Sequence, residues 1–196
     1  HLGMTGNLRV SKKIKYLKHD HIVFYLSSGN VLIYNDVRRF GLIQIYKTKE
    51  SYFLLDNNGP DPFEKEANAD YLFSRIKNST ASIKSILLNH KIISGIGNIY
   101  ASEILFHSKI RPNRLVNSLN QKEISNIIIS TKFILNKAIR KGGSSIRDFK
   151  NSDGNTGTFQ NEFKVYNKEN ENCPNSSCKN KIKKLTISNR STFYCN

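Results

Sequence analysis

The sequence predicts an α+β protein in three parts: a β-rich segment, a helical segment and a cysteine-containing hairpin. Over residues 1–46 hydrophobic and polar residues alternate, which is the period of a half-buried strand. From residue 64 to 141 hydrophobic residues recur at intervals of three and four, the period of an amphipathic helix. All three cysteines lie within residues 173–195, in a stretch rich in lysine and arginine. We therefore expect a β-rich domain, then a helical domain, then a small hairpin.

The β-rich part is predicted to contain strands joined by short turns. Apolar residues at even positions indicate a strand that is already under way at His1–Met4 and continues to Val10. Two further apolar runs flank Ser27–Asn30, which predicts a hairpin with a four-residue loop. Another strand is predicted over Phe40–Tyr46.

The helical part begins after Asn57–Pro62, whose glycine and prolines make it the best domain boundary in the chain. We expect a short helix over Glu64–Ile76. The next helix is predicted to be capped by Thr80, because Ile83, Ile86 and Leu87 follow at helical spacing. The last two are expected at about Asn98–His107 and, after a capping box of Asn120 and Glu123, up to Gly142-Gly143.

The turn at Lys91–Asn98 opens directly into one of these helices. Gly95 and Gly97, followed by Asn98 at an expected cap position, leave backbone N–H groups free at the positive end of a helix. Such an end can hold a phosphate, and Lys91 adds a positive charge beside it. A plain connecting loop is the alternative interpretation of a glycine-containing turn.

The chain is strongly basic, with 31 lysines and arginines against 15 acidic residues and a net charge of +16. A charge of this size favours a polyanionic partner such as nucleic acid. The alternative is an AT-rich genome, which encodes lysine, asparagine and isoleucine freely. The sequence has neither an apolar run of 18 residues nor a signal-peptide pattern, so we expect a soluble intracellular protein with no membrane partner.

Cys173, Cys178 and Cys195 have the outline of a zinc ribbon, in which cysteines on two turns of a hairpin hold a tetrahedral metal. An odd number of clustered cysteines argues against a disulfide framework. A ribbon would require a fourth cysteine about three residues after Cys195, and three free thiols are the alternative. Arg190 lies near the tip, where it could bind a phosphate or remain a solvated turn charge.

Two segments between the long helix and the hairpin have different patterns. Residues 144–158 contain few large apolar residues and several glycines, asparagines and serines, which is typical of a mobile loop. Residues 159–166 are predicted to form a strand.

Six motifs occur in an order that resembles the formamidopyrimidine-DNA glycosylase family, bacterial enzymes that excise oxidised purines. They are His1–Gly6, Asp36–Gly41, Asn58–Pro62, Gly95–Glu103, Gly142–Phe149 and the terminal cysteine hairpin. The related endonuclease VIII shares the turn and the hairpin but lacks the Met4 and Arg38–Phe40 signatures. The purine enzyme is therefore preferred, and a glycosylase for oxidised pyrimidines is kept as an alternative.

The resemblance implies a bifunctional DNA glycosylase and AP lyase that flips a damaged base out of duplex DNA. It would be a monomer in the bacterial cytoplasm, with one structural Zn²⁺ held by Cys173, Cys178 and Cys195, and with DNA bound in a cleft between two domains. The implied divisions are a partial β-sandwich at 1–57, a linker at 58–63, a helix-two-turn-helix domain at 64–143, a lesion-capping loop at 144–158 and a zinc hairpin at 159–196.

The resemblance also implies roles for individual residues. Contacts with DNA phosphates are expected from His1, Lys91, Asn98, Tyr166 and Arg190. Met4, Arg38 and Phe40 would enter the base stack when the damaged base leaves, although from residue type alone Met4 and Phe40 would be ordinary β-core. In the capping loop, Ser144 and Arg147 are expected to contact the lesion.

The sequence departs from the family pattern in its catalytic residues. The family's nucleophile is an N-terminal proline amine followed by a glutamate, and neither has a counterpart here, so both are expected upstream of residue 1. No catalytic residue is assigned, and the 196 residues alone are expected to be inactive. A non-catalytic zinc-finger DNA-binding protein is the alternative. Val37 replaces a usual proline, and four residues instead of two separate Cys173 from Cys178.

Overall fold

The computed structural model describes residues 1–45, 58–145 and 156–195, and it confirms the α+β class. The chain divides into two compact units. The first comprises His1–Glu50 and Ala138–Glu162, and the second comprises Ser51–Lys137 and Phe163–Asn196. No helix of the described residues is long and apolar enough to cross a membrane.

An antiparallel sheet of three strands organises the first unit, with β3 between β1 and β2. Its strands are β1 (Asn7–Ser11), β2 (Asp20–Tyr25) and β3 (Val31–Asn35). The central strand has the most apolar sequence and supplies the buried side chains Val31, Ile33 and Tyr34. The predicted hairpin between β2 and β3 is confirmed, and the Leu26 N–H donates to the Asn30 carbonyl across its loop at 3.0 Å.

The first predicted strand is confirmed over residues 7–10, which belong to β1, but is wrong over residues 1–6, and the strand predicted from Phe40 is wrong in the described residues. His1–Met4 precedes β1 as a turn, because Gly3 has a φ of +61° and the Gly6 N–H donates to the Leu2 carbonyl at 2.8 Å. Residues 40–45 form no strand either, and Tyr46 lies outside the described residues. Leu42 pairs with His1 through two backbone hydrogen bonds of 2.7 and 2.9 Å, and residues 40–45 are not assigned to a strand.

The α-helices lie mainly in the second unit. In the described residues they are α1 (Ala69–Ile76), α2 (Ile83–Leu87), α3 (Asn98–His107) and α4 (Gln121–Arg140). The predicted bounds of α3 are confirmed. Two predicted helix starts are wrong: the Asn68 side chain caps α1 by accepting from the Tyr71 N–H, and Ser82, not Thr80, caps α2 by accepting from the Ser85 N–H.

The predicted capping box of α4 is confirmed. The Asn120 N–H donates to the Glu123 carboxylate, and the Glu123 N–H donates to the Asn120 side-chain oxygen, both at 2.9 Å. At the other end Gly142 and Gly143 have positive φ angles of +69° and +85°, and the Gly143 N–H donates to the Ala138 carbonyl. Glycine adopts this conformation without steric cost, which explains why α4 ends where the sequence predicted.

Isoleucine and leucine fill the core of the second unit. The fully buried side chains come from all four helices and are Leu72, Ile76, Ile83, Leu87, Ile104, Leu105, Ile124 and Ile127. Burying a side chain of this size contributes about 1.5–3 kcal/mol. This core holds the N-terminus of α3 and the end of α2 in place.

The C-terminal segment is a hairpin of β4 (Lys183–Ile187) and β5 (Arg190–Tyr194), as predicted. Ser188 and Asn189 make the turn with φ angles of +50° and +56°, so Arg190 begins β5 beside the tip. The predicted strand over 159–166 is wrong: Phe159–Glu162 is a 3-10 helix, and the N–H groups of residues 164–166 are bound by a side chain instead of a neighbouring strand.

Candidate nucleic-acid interface

The N-terminus of α3 is an open helix end. Gly97 is the N-cap residue, so Asn98 is the first helical residue and not the cap that was expected. Within the described residues no side chain caps this end, and Gly95 reaches its φ of +75° because it lacks a Cβ. The first N–H groups of a helix carry partial positive charge, so this end favours an anion.

Asn98 joins this helix end to the C-terminal hairpin. Its side-chain Nδ2 donates to the Ser191 carbonyl at 3.0 Å. Its Oδ1 is buried and has no hydrogen-bond partner in the part of the chain that the structure describes. Arg190 precedes Ser191 and is exposed. Two of the predicted phosphate-binding residues, Asn98 and Arg190, are therefore held at neighbouring positions.

Lys84, which was not among the residues predicted from the sequence, lies beneath the same junction. The residue is fully buried, and its Nζ donates to Thr192 Oγ1 at 2.7 Å, to the Ser191 carbonyl at 3.3 Å and to Ser102 Oγ at 3.5 Å. Burial, and then the charge of Arg190, lower the pKa of Lys84 to about 8. The signal available in the sequence was the position of this lysine between the apolar core positions of α2.

Tyr166 and Lys91 differ in how firmly they are fixed. The Tyr166 N–H donates to the Glu103 carboxylate at 2.8 Å, and its ring packs edge-on against Phe193 with centroids 5.2 Å apart. Lys91 is exposed, and its N–H donates to the Asn89 side chain at 3.1 Å. The structure thus places Tyr166 against β5 and leaves Lys91 at the surface of the turn before α3.

Glu103 is a second residue for which sequence reasoning gave no role. It is buried in α3, and its carboxylate accepts from the N–H groups of Lys164, Val165 and Tyr166 at 2.8–3.0 Å. This side chain therefore sets the backbone that carries Tyr166. An acidic residue inside an apolar helix was the signal, since buried carboxylates require donors.

Met4, Arg38 and Phe40 lie together in the first unit. Arg38 Nη1 donates to Met4 Sδ at 3.1 Å, and the Arg38 guanidinium lies 4.7 Å from the centre of the Phe40 ring. Met4 is 66% exposed and Phe40 is 58% exposed. The expectation from residue type that both are β-core is therefore wrong, because the turns that carry them present their side chains to solvent.

The remaining predicted residues of the first unit are not part of this group. The backbone nitrogen of His1 donates to the Leu42 carbonyl at 2.9 Å, and His1 Nδ1 accepts from the Gly3 N–H. Ser144 pairs with Thr158 at the base of the segment predicted to cap the lesion. Arg147 lies outside the described residues.

The three cysteines are close enough to share one metal ion. Their Sγ atoms lie within 4.8 Å of one another, and those of Cys178 and Cys195 are 3.5 Å apart. A tetrahedral zinc with bonds of about 2.3 Å separates its sulfur ligands by about 3.8 Å, so the cluster fits. Burial, and then the neighbouring Cys173, raise the pKa of Cys195 to about 12, which a cation would reverse. A fourth ligand is not present among the described residues.

The N-terminus of α3 is bound to a cysteine hairpin that carries Arg190 beside its tip, and the chain has a net charge of +16. These features define a nucleic-acid-binding α+β protein. The family model for the formamidopyrimidine-DNA glycosylase N-terminal domain matches residues 1–43, and the model for the H2TH domain of the same enzyme matches residues 58–150.

Individual relatives agree with the family models. The formamidopyrimidine-DNA glycosylase of Dichelobacter nodosus is 41% identical over 196 residues, which cover 100% of this chain and 71% of the relative. A Lactococcus lactis Fpg variant bound to DNA containing Fapy-dG has a TM-score of 0.87 at 36% identity, covering 100% of this chain and 72% of that one. Fpg of the same organism bound to DNA with an abasic site has the same TM-score and coverage at 37% identity. The chain belongs to the formamidopyrimidine-DNA glycosylase family, whose members are DNA glycosylases that repair damaged bases.

Proposed function

We propose that this protein acts on duplex DNA containing an oxidised purine, 8-oxoguanine or a formamidopyrimidine, as a monomer in the bacterial cytoplasm. The reaction is excision of the flipped base followed by strand cleavage by elimination. Family membership supports the reaction class, and the Asn98–Ser191 hydrogen bond beside Arg190 is the observation that carries the DNA-binding part.

The second unit binds the phosphates of the DNA backbone. Arg190 offers a bidentate fork to a phosphate, Asn98 lies at the positive end of α3, and Lys91 adds a charge on the turn before it. Tyr166 supplies a further phosphate contact from this unit and His1 one from the first. Contacts of this kind position a duplex without reading its sequence.

The first unit occupies the gap left by the flipped base. Phe40 wedges between base pairs, Arg38 donates to the orphaned cytosine, and Met4 fills the remaining space. Their exposure and mutual contacts support this assignment, since an intercalating group must project from the surface. Ser144 and Arg147 contact the extruded base. None of the roles assigned to these residues is that of the nucleophile.

One zinc ion held by Cys173, Cys178 and Cys195 would supply a structural link between the two turns of the hairpin. The distances between the three sulfur atoms support this assignment. The hairpin residues themselves perform the binding, because Arg190 and the Ser191 carbonyl lie at the tip away from the cysteines.

The salt dependence of DNA binding tests the phosphate contacts. We expect the 196-residue chain to bind a duplex with a tetrahydrofuran abasic analogue more tightly than the undamaged duplex in fluorescence anisotropy. In Arg190→Ala and in Lys91→Ala the slope of log K against log salt should fall by about one, because each variant releases one fewer counterion.

Lys122→Ala is the matched control, since Lys122 is an exposed lysine on α4 with no assigned contact. Its slope should equal that of the wild type. Equal slopes for Arg190→Ala and Lys122→Ala would contradict the phosphate assignment. Tighter binding to duplexes containing an oxidised pyrimidine would contradict the assigned lesion class.

A further inference from the structure

Asp36 is a fully buried carboxylate surrounded by neutral donors. Its Oδ1 accepts from the Thr5 hydroxyl at 2.5 Å and from the Arg38 N–H at 3.2 Å. Its Oδ2 accepts from the Tyr34 hydroxyl and from the Gly41 N–H, both at 2.9 Å. These bonds, the one from Thr5 foremost, hold the pKa of Asp36 well below its usual range.

These hydrogen bonds join the two segments that carry the exposed side chains of Met4, Arg38 and Phe40. Thr5 follows Met4 in the chain, and its hydroxyl also accepts from the Arg38 N–H at 3.0 Å. Gly41 follows Phe40, and a Cβ added to Gly41 would lie 1.8 Å from the Tyr34 hydroxyl oxygen. The backbone at Gly41 is therefore packed directly against the Tyr34 hydroxyl, which itself donates to Asp36.

The consequence is a fixed backbone beneath three exposed side chains. Arg38 contacts both Met4 and Phe40 at the surface, and all three side chains are exposed. Their positions depend on residues 4–5 and 38–41, because the Thr5 hydroxyl and the N–H groups of Arg38 and Gly41 all bind the same carboxylate. A buried group that is fully hydrogen-bonded makes such an arrangement rigid.

We propose that Asp36 is a positioning residue that determines the specificity of this protein for the base opposite the lesion. It does so by holding Arg38 in register with Met4 and Phe40, without touching DNA itself. The proposal rests on the proposed function, in which Arg38 recognises the orphaned cytosine.

The role requires a carboxylate rather than an amide of the same shape. An asparagine at position 36 would turn its NH₂ group toward either the Arg38 N–H or the Gly41 N–H, depending on its orientation. A hydroxyl can rotate to accept a hydrogen bond, but a backbone N–H cannot. In one orientation the Gly41 N–H would lose its acceptor, and in the other the Arg38 N–H would keep only the Thr5 hydroxyl, so the turn that carries Arg38 and Phe40 would loosen.

Asp36→Asn in the 196-residue chain provides the test. The measured quantity is the ratio of dissociation constants for tetrahydrofuran duplexes with adenine and with cytosine opposite the analogue. We expect the wild type to prefer cytosine and Asp36→Asn to lose about tenfold of that preference, the equivalent of roughly one buried hydrogen bond. Affinity for undamaged duplex and its salt slope should stay at the wild-type values.

Asp20→Asn is the matched control, because Asp20 is another buried carboxylate of the same sheet, and its described hydrogen bonds come from Arg9 at 2.6 Å, Leu17 and Asn35. It should keep the wild-type ratio. Hydrogen exchange adds a readout without DNA: the Arg38 and Gly41 amides should lose protection in Asp36→Asn, while the amide of Ile33 in β3 should keep it.

Thr5→Val keeps the test sharp where Asp36→Asn does not fold, since it removes only the hydroxyl that bridges Asp36 and the Arg38 N–H. A partial loss of cytosine preference is expected. The proposal is overturned if Arg38→Ala abolishes the preference while folded Asp36→Asn, or Thr5→Val, retains it. If Arg38→Ala itself retains the preference, the role of Arg38 fails first and the inference falls with it.

Discussion

Lys84 shows how a single residue can stabilise a binding site at a cost in folding energy. It is fully buried and bound to hydroxyl and carbonyl oxygens, with no carboxylate among the partners described above. Taking a charge out of water is unfavourable, which is why the pKa of Lys84 falls to about 8. The hydrogen bonds to Ser191 and Thr192 offset part of that cost and fix the backbone next to Arg190.

The lowered pKa makes a contribution to stability that depends on pH. Between about pH 8 and about pH 10.5 the unfolded chain keeps a proton on Lys84 that the folded protein has released. Because the unfolded state binds more protons there, this residue makes the free energy of unfolding rise with pH. Relative to Lys84→Met, the wild type should gain about 2 kcal/mol between about pH 7 and about pH 9.5.

Urea denaturation of both proteins at the two pH values measures this gain. Comparison with Lys84→Met removes the effect of the other groups that titrate in the same range. Lys122→Met, which replaces an exposed lysine, should follow the wild type at both values. If the free energy of unfolding changes by the same amount between the two pH values in the wild type and in Lys84→Met, the buried amine does not titrate in this window.

At the scale of elements, the cysteine hairpin is a small part of the second unit with few buried hydrophobic residues of its own. Its buried hydrophobic cluster consists of Val165, Ile182 and Phe193, and Cys173 and Cys195 pack against it. So small a cluster supplies little stability, and small domains commonly add a metal for this reason. The three thiols therefore have a structural use that does not involve contact with DNA.

Zinc should stabilise the metal-free protein. At a free concentration about 100 times the dissociation constant, the ion contributes about 2.7 kcal/mol, which corresponds to a rise in Tm of about 5–10 °C for a chain of this size. Cys178→Ser should lose most of this rise, because it removes one of three ligands. Differential scanning calorimetry with and without zinc measures both.

Ser177→Ala, one residue away, provides the control and should respond to zinc like the wild type. Magnesium should have no effect on either protein, because it prefers oxygen ligands. An equal rise of Tm in Cys178→Ser and in the wild type would contradict a zinc site at these cysteines.

At the scale of the whole molecule, features that depend on residues close in sequence were predicted well, and features that depend on residues distant in sequence were not. The bounds of α3 and the capping box of α4 depend on neighbours in sequence, and both predictions are confirmed. The segment at 159–166 has a strand pattern, but its N–H groups are bound by Glu103, about 60 residues earlier. That contact exists only in the folded chain, so periodicity could not reveal it.

The site divides in the same way. Exposed residues such as Arg190 and Arg38 received proposed roles from the resemblance. Lys84 and Glu103 bind partners that are distant in sequence, as in the bond from Lys84 to Thr192, 108 residues later, and Asp36 accepts from Thr5, 31 residues earlier. Their residue types alone gave no indication of these partners.

The net charge of +16 makes one further prediction about the whole chain, because salt should act on folding and on binding in opposite directions. Like-charge repulsion destabilises a compact state. The ion pairs that oppose it in the described residues are Arg9–Asp20, Arg114–Glu123, Lys141–Glu162, Lys168–Glu171 and Lys184–Glu169. Most of these are partly exposed, and such pairs contribute little.

Raising NaCl from about 50 to about 300 mM should therefore raise the Tm of the free protein, because screening weakens repulsion more than it weakens these pairs. The same change should lower the affinity for duplex DNA. Thermal unfolding and anisotropy on one sample series measure both, with a neutral osmolyte at matched osmolality as the control. A fall in Tm with salt would mean that the ion pairs outweigh the repulsion. The excess positive charge would then not destabilise the free protein, and DNA binding would have no such repulsion to relieve.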